Sequence, residues 1–262
     1  MNTAQAIRPV GDHIRDWRQR RRMSQLDLAL EAEISARHLS FVETGRASPS
    51  RDMVLRLAEQ LDVPLRERNQ LLVAAGFAPV YAERALDDPA LDAAKKAIDL
   101  LLKAHAPFPA LAIDRHWTLI AYNEPTRLLM GLIAPHLLEP PVNVLRASLH
   151  PEGLAPRVAN LGEWRAHIFG RLGRQVAATG DPTLAALLTE FRAYPGDDSH
   201  EPANDLSTVV TPLILNTEGR ALSFLTTTTV FGTPADITLS ELAIETFFPA
   251  DEATAKALGA LK

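Results

Sequence analysis

Residues 17–50 read WRQRRRMSQLDLALEAEISARHLSFVETGRASPS, and this stretch decides the fold of the first part of the chain. A helix begins after Ser24, because Ser24 and Asp27 stand at the spacing of a capping box. Ser35 starts the next helix after a short joint, and Gly45 ends it at a position that suits left-handed backbone. The stretch therefore predicts two short helices joined by a tight turn.

Apolar residues at helical spacing continue on both sides of this stretch. They predict a first helix over residues 9–22, a fourth over 51–61 and a fifth over 66–75. Five short helices, with a joint of about three to four residues between the second and third, are typical of a helix-turn-helix bundle. We therefore predict an all-α helix-turn-helix domain of five short helices over residues 1–78.

Basic charge is concentrated at the start of the chain. The first 80 residues carry 12 arginines, 10 acidic residues and no lysine, whereas the remainder carries 15 basic and 22 acidic residues. The planar guanidinium of arginine suits phosphates and guanine edges better than an ammonium does. A solvated helix end explains the densest cluster, Arg18 with residues 20–22, equally well, so charge alone leaves a nucleic-acid partner open.

The first domain resembles the XRE family of phage-repressor-like DNA-binding domains over roughly residues 8–76. The residues that carry the resemblance are Arg18, Met23-Ser24-Gln25, Leu28-Ala29, Ile34-Ser35, Leu39, Val42-Glu43 and Gly45-Arg46. The resemblance implies a double-stranded DNA partner. It also implies an ion pair between Arg18 and Glu43, which explains why the third helix ends on an acid whose charge opposes the helix dipole.

The resemblance also indicates which residues meet DNA. The positions that it implies for reading bases are Ala36, Arg37 and Phe41. The positions that it implies for contacting phosphates are Gln25, Ser35, Arg46 and Ser48. Arg37 is expected to bridge O6 and N7 of a guanine, while capping and solvation are the alternative for the phosphate set. The family often has glycine where this chain has Glu33, so the geometry of the joint stays open.

A polar stretch at residues 78–89 separates this domain from the rest, and residues 90–104 have the spacing of an amphipathic helix. We assign residues 79–104 to a linker and connecting helix. Two alternatives remain for this helix. It is either a lever or dimer surface between the domains, or the packed first helix of the second domain.

The period of the sequence changes after residue 105. The stretches PALAID and WTLIAYN, residues 109–114 and 117–123, predict a hairpin of two strands. Helical segments follow to about Tyr194, and the stretches DLSTVVTPLILN, RALSFLTTTTVF and LAIETFFPA predict three further strands. This order predicts an α+β domain over residues 105–262, with an antiparallel sheet and its helices on one face. The arrangement resembles a PAS-like domain.

The second domain resembles the MmyB-like ligand-binding domain over about residues 105–250. The stretches that carry the resemblance are PALAIDRHWTLIAYNEPTRLLM, NVLRASLHPEGL, NLGEWRAHIFGRL and TVVTPLILNTEGRALSFLTTTTVFGTPADITLSELAIETFFPAD. That family joins this domain to an XRE domain. The resemblance implies a transcription regulator that senses a small apolar molecule, such as a fatty acid.

A pocket between sheet and helices would need apolar walls and a few polar groups. The apolar candidates are Trp117, Tyr122, Leu129, Met130, Trp164, Ile168, Phe169 and Phe224. The candidates for holding a carboxylate head are Arg146, His150, Arg165 and His167. Plain core packing is the alternative for the first set, and surface salt bridges are the alternative for the second.

Composition and motifs weigh against several other classes of protein. The chain has 0 cysteines and no apolar run near 18 residues, so we expect a cytoplasmic protein without disulfides or a membrane span. The sequence contains no G-x-S-x-G, Walker loop or H-E-x-x-H motif, and its eight histidines are scattered. Residues 197–200, DDSH, predict a loop because adjacent side chains diverge. We expect no enzyme activity, metal or cofactor.

Three hypotheses follow from the sequence. The first is a homodimeric DNA-binding regulator whose second domain binds a ligand that modulates DNA binding. The second is a DNA-binding protein whose second domain only dimerises or binds another protein. The third is an enzyme fused to a DNA-targeting domain. A bound small molecule separates the first from the second, and turnover supports the third.

Overall fold

The computed structural model describes residues 8–196, 211–217 and 219–259. The chain divides into two compact units. Residues up to Arg84, with the segments 177–179 and 235–237, form the first unit, and the remainder forms the second. Along the described ranges, no helix combines the length and apolar character that crossing a membrane requires.

The described part of the first unit contains five helices, as predicted. They are α1 (Val10–Arg20), α2 (Gln25–Glu31), α3 (Ala36–Glu43), α4 (Arg51–Gln60) and α5 (Leu65–Ala74). The capping box of Ser24 and Asp27 is confirmed, and the Ser35 and Ser50 hydroxyls cap α3 and α4. One apolar core joins the helices. Its most deeply buried side chains are Ile14, Leu28, Leu39, Val54, Leu57, Leu61 and Leu72.

The joint between α2 and α3 keeps a left-handed turn without glycine. Glu33 has a φ of 54°, and the N–H of Ile34 donates to the carbonyl of Ala29 at 2.9 Å. A left-handed non-glycine residue costs about 1–2 kcal/mol, which the surrounding core has to offset. Gly45 ends α3 with a φ of 70°, so the predicted left-handed cap is confirmed.

A buried carboxylate connects the first three helices. The Glu43 side chain is fully buried, and Arg18 donates to its two oxygens from Nε at 2.7 Å and from Nη2 at 2.9 Å. Gln25 donates to the same carboxylate from Nε2 at 2.8 Å. Burial works to raise the pKa of Glu43, but the hydrogen bonds from Arg18 and Gln25 outweigh it and hold the pKa below the ordinary value.

Several other arginines of this unit bind backbone carbonyls instead of facing solvent freely. Arg21 donates to the carbonyls of Leu61 and Asp62, both at 2.7 Å, and its guanidinium lies 5.5 Å from the Trp17 ring. Arg68 donates to the carbonyl of Val63 at 2.7 Å. Part of the basic charge of the first unit is therefore used to bind backbone carbonyls within it.

The described residues of the second unit form a sheet of five strands. These are β1 (Ala110–Ile113), β2 (Leu119–Tyr122), β3 (Leu213–Thr217), β4 (Arg220–Val230) and β5 (Ala243–Pro249). Their order is β2-β1-β5-β4-β3, and every pairing is antiparallel, as predicted. The predicted start of β3 before residue 211, the turn residue Glu218 and the DDSH loop lie outside the described residues.

Helices cover both faces of this sheet, so the prediction that they gather on one face is wrong. Helix α6 (Asp92–Ala104) packs Ile98 and Leu102 into one cluster with Ala110 and Ala112. The alternate residues of β1 point the other way, into the main core. Helix α6 thus belongs to the second unit as its packed first helix, because its apolar stripe needs a sheet face to cover.

The main core lies on the opposite face of the sheet. The helices that contribute to it are α7 (Glu124–Met130), α8 (Val144–Leu149), α9 (Leu161–Thr179), α10 (Pro182–Arg192) and α12 (Glu252–Gly259). The short α11 (Ile237–Ser240) instead packs Leu239 against the cluster that contains Ile98 of α6. Asn123 caps α7, as predicted. The short α12 follows the last strand and was not predicted. Trp164, Ile168, Phe191 and Phe224 are among the buried residues of this core.

Removing the Glu43 carboxylate is expected to destabilise the first unit. The variant Glu43→Ala leaves Arg18 without its buried partner, and breaking one side of such a pair costs about 3–5 kcal/mol. Thermal unfolding measures the effect. The control Glu59→Ala removes an exposed carboxylate from α4 and is expected to change stability little. An unchanged melting temperature for Glu43→Ala would show that the pair has no structural role.

The contribution of Glu43 is also expected to depend on pH. Because its folded-state pKa is depressed, its stabilisation is complete above the unfolded pKa of about 4.3 and is lost as pH falls through the folded-state pKa. The free energy of unfolding should therefore differ between wild type and Glu43→Gln by a constant amount above about pH 5. Denaturant titrations at lower pH should show the difference shrinking, and a flat difference would contradict the prediction.

Candidate functional site

The N-terminal half of α3 presents an arginine at the surface of the first unit. Arg37 is exposed, and its guanidinium lies 5.3 Å from the ring of Phe41, one helical turn later. Ala36 and Phe41 are half-buried beside it. The aromatic ring restricts the exposed arginine through a cation–π contact. The three residues expected to read bases therefore lie together on one helix.

The four residues predicted to contact phosphate differ in their exposure and in their hydrogen bonds. Ser35 is exposed at the start of α3, where its hydroxyl accepts from the His38 N–H at 3.1 Å. Arg46 and Ser48 are exposed in the segment between α3 and α4. Gln25 instead turns its amide inward to Glu43. Contact of these residues with phosphate stays a prediction.

A cavity of about 100 Å³ lies between the sheet and the helices of the second unit. Five of the eight apolar candidates line it, namely Trp117, Leu129, Met130, Trp164 and Ile168. Further apolar residues complete its walls, among them Leu111, Leu119, Ile133, Leu145, Leu213 and Phe247. Typical pockets for small molecules measure about 300–1,000 Å³, so this cavity holds a short apolar group as it stands.

The indole groups of the cavity walls are anchored through hydrogen bonds from their ring nitrogens. Trp117 donates from Nε1 to Oε1 of Gln175 at 3.0 Å, and Trp164 donates from Nε1 to the Ser148 hydroxyl at 3.0 Å. Trp117 also has a φ of 66°, a left-handed conformation that is strained for a large side chain. These bonds hold the rings in place, so that their apolar faces border the cavity.

Three apolar candidates lie elsewhere. Phe224 is fully buried in the core, where it packs edge-on against Phe247. Tyr122 ends β2 with 43% of its surface exposed. Phe169 stacks beside the guanidinium of Arg165 at 5.1 Å. All three side chains are apolar enough for a pocket wall, but none of them is among the residues that line the cavity.

None of the four cationic candidates lines the cavity. Arg146 forms a bidentate pair with Glu190, at 2.7 and 2.8 Å, which raises its pKa. His150 packs edge-on against Tyr194, and Arg165 is fully buried next to Phe169. His167 stacks on Trp164, and burial lowers its pKa. These side chains therefore stabilise other parts of the unit.

The charged residues that line the cavity were missed by the sequence analysis. They are Arg171 of α9 and Glu245 of β5. A helical spacing was available as a signal, because Trp164, Ile168 and Arg171 fall on one face of α9. Glu245 likewise stands two residues before Phe247 in a strand, where alternate residues share a face. The sequence did not show that the two side chains meet.

Arg171 and Glu245 form a closed, hydrogen-bonded pair. Arg171 donates from Nη2 to Oε1 at 2.6 Å and from Nη1 to Oε2 at 3.1 Å. The Thr228 hydroxyl accepts from Arg171 Nη2 at 2.8 Å and donates to Glu245 Oε1 at 2.9 Å. The guanidinium also lies 4.3 Å from the Trp117 ring. The polar part of the cavity wall is thus a compensated ion pair.

A group of metal-ligand type occurs on the surface of the second unit. Ligand atoms of His136, His150 and Glu152 lie within 4.8 Å of one another. The Nδ1 atom of His150 accepts from the backbone N–H of Glu152 at 3.0 Å, whereas a metal-bound histidine usually donates from its second nitrogen. Because Nδ1 of His150 accepts a hydrogen bond instead of donating one, we assign no metal to this group.

Comparisons with known proteins agree with this architecture. A family model described as helix-turn-helix matches residues 14–68. A protein of Methanoculleus marisnigri named "Putative HTH-type transcriptional regulatory protein" is 34% identical over 122 residues, which is 45% of this chain. The match covers 39% of that relative, so the chain spans well under two thirds of its length.

A second family model, described as MmyB-like transcription regulator ligand binding domain, matches residues 94–261. This match covers more than half of the chain and contains the sheet, the helices α7–α10 and the cavity between them. The chain therefore belongs to the family of MmyB-like transcription regulator ligand-binding domains, and it carries a helix-turn-helix domain ahead of that domain.

Proposed function

We propose that the protein is a DNA-binding transcription regulator whose second domain binds a small apolar molecule, such as a fatty acid or a similar compound. The observation that carries this proposal is the occurrence, in one chain, of a helix-turn-helix unit with an exposed arginine on α3 and of a largely apolar cavity in a second unit. The bound molecule modulates the affinity for DNA. The second domain acts by binding, not by catalysis.

DNA is read by α3 in the major groove. In helix-turn-helix proteins, the N-terminal residues of the second helix of the motif contact base edges. Arg37 stands at this position, exposed and held over the ring of Phe41. A bidentate contact of arginine with guanine contributes about 1–3 kcal/mol of discrimination between bases. Ala36 and Phe41 offer apolar contacts, which suit thymine methyl groups.

We propose that the functional state is a homodimer. A single α3 reaches only a few base pairs, and helix-turn-helix dimers gain length by binding two half-sites about 34 Å apart. The operator is then expected to be palindromic. The ligand acts on this state because it binds one arrangement of the protein better than another, and couplings of this kind amount to about 1–3 kcal/mol.

Replacing Arg37 is expected to weaken specific DNA binding. Arg37→Ala removes the base contact and should reduce affinity about 5- to 150-fold for the DNA sequence that wild-type protein selects from a random pool. Fluorescence anisotropy at fixed salt measures the change. The control Arg174→Ala removes the same charge from an exposed position of α9. Equal affinity and equal sequence preference for Arg37→Ala would contradict the assigned role.

Filling the cavity is expected to abolish ligand binding and its effect on DNA. Ala147 lines the cavity, so Ala147→Leu occupies space that a guest would need. Native and denaturing mass spectrometry should find less co-purifying small molecule in this variant than in wild type. Added ligand should change wild-type DNA affinity about 5- to 150-fold but leave the variant unchanged.

The control for the cavity variant is Ala186→Leu, because Ala186 is exposed on α10. This control enlarges an alanine on the same domain without touching the cavity. It should therefore keep both the co-purifying molecule and the ligand effect. If Ala147→Leu behaves like Ala186→Leu while both remain folded, the cavity is not the ligand site.

A further inference from the structure

We propose that the outer side of α6, with the strip of sheet beside it, is the surface through which the second domain pairs with a second copy of this chain. The inference rests on the homodimer of the proposed function and names the surface that forms it. It starts from Leu100 and Leu101, which are 68% and 48% exposed although both side chains are large and apolar. Leu100 is the most exposed of the large apolar side chains described in the second unit.

Helix α6 carries two apolar stripes on opposite sides. Ile98 and Leu102 form the first, which packs on the sheet. The residues of the second stripe follow one another at spacings of four, three and four, and they are Ala93, Ala97, Leu100 and Ala104. This is the spacing of the seam between two helices of a coiled coil, and the small alanines allow a second helix to approach closely. A helix that only covers a sheet needs one apolar stripe, so the second stripe indicates a further partner.

The charges beside this second stripe fit an antiparallel copy of the same helix. In chain order they are Asp92, Lys96, Asp99 and Lys103, and all four side chains are exposed. An antiparallel copy reverses the order of signs, so each acid lies opposite a base, whereas a parallel copy brings like charges together. Lys95 also binds Asp92 within the helix at 2.8 Å, so the central Lys96 and Asp99 contribute most. A two-fold axis at the middle of α6 produces this antiparallel pairing.

The apolar surface continues from α6 onto the outer face of the sheet. Leu101 stands one helical turn before His105, whose ring packs edge-on against Phe248 with 4.7 Å between the ring centres. Phe248 pairs with the exposed Leu225 of β4, and the next pair on this face consists of two threonines. A stable interface buries about 800 Å² on each partner, and a helix about 20 Å long offers less than that. This uncharged strip of sheet therefore adds to the area that two copies bury.

A charge in the middle of the stripe should break the pairing. Leu100→Glu introduces one at an exposed position, so the core of the domain is left unchanged. Sedimentation equilibrium of the full-length protein measures the dissociation constant of the dimer, which should rise at least tenfold. The control is Leu30→Glu, because Leu30 of α2 is the same residue type and is 69% exposed. The control should keep the wild-type dissociation constant.

Engineered cysteines test the antiparallel arrangement, and the chain itself has 0 cysteines to interfere. An antiparallel copy brings Ala93 beside Ala104 of the second copy. A chain that carries Ala93→Cys and Ala104→Cys together should therefore form a covalent dimer under mild oxidation. The two positions lie about 16 Å apart along one helix, which is too far for a disulfide within the chain. For the same reason, Ala93→Cys alone should form no covalent dimer.

The outcomes separate this inference from the proposed function. A wild-type dimer that resists Leu100→Glu, or that Leu30→Glu weakens equally, would overturn the inference and leave the homodimer in place. A covalent dimer of Ala93→Cys alone would also overturn it, because that result requires parallel helices. Wild-type protein that sediments as a monomer at every concentration would overturn the homodimer as well. If Leu100→Glu does not fold, the cysteine pair decides the matter.

Discussion

A buried carboxylate has to be compensated, and both units of the chain are organised around this constraint. In the first unit, Glu43 is enclosed at the end of α3 and receives hydrogen bonds from Arg18 of α1 and Gln25 of α2. In the second unit, Glu245 of β5 receives them from Arg171 of α9. Each carboxylate thereby fixes elements that are distant in sequence, because removing any one partner would strand a charge in a low-dielectric interior.

This constraint changes how the charge of the sequence should be interpreted. An arginine-rich start suggests a basic surface for nucleic acid, yet Arg18 and Arg21 are used inside the unit, on Glu43 and on the carbonyls at the end of α4. Arg37 and Arg46 remain exposed near α3. A count of arginines along the sequence therefore overstates the basic charge that is exposed near α3.

The sequence predicts the parts of the structure that depend on local signals. Caps at Ser24 and Ser35, the glycine at the end of α3 and the alternation within β1 act over a few residues, so the helices and strands were predictable. The partners of the cationic side chains were not predictable from such signals. Arg146 meets Glu190 across 44 residues, and Arg171 meets Glu245 across 74. Spacing along one helix shows which side chains share a face, but only tertiary packing shows which opposite charge stands across from them.

The two buried pairs differ in what lies beside them. Glu43 is enclosed by protein, so its pairing only holds helices together, whereas Glu245 borders a cavity and its pairing also sets the charge that a guest meets. A molecule bound in a cavity whose wall has no net charge gains affinity mainly from the apolar surface that it buries, at about 25 cal/mol per Å². The present 100 Å³ limits that surface. A longer molecule would need more room than this, and two of the residues that line the cavity, Leu129 and Met130, are half-buried on α7.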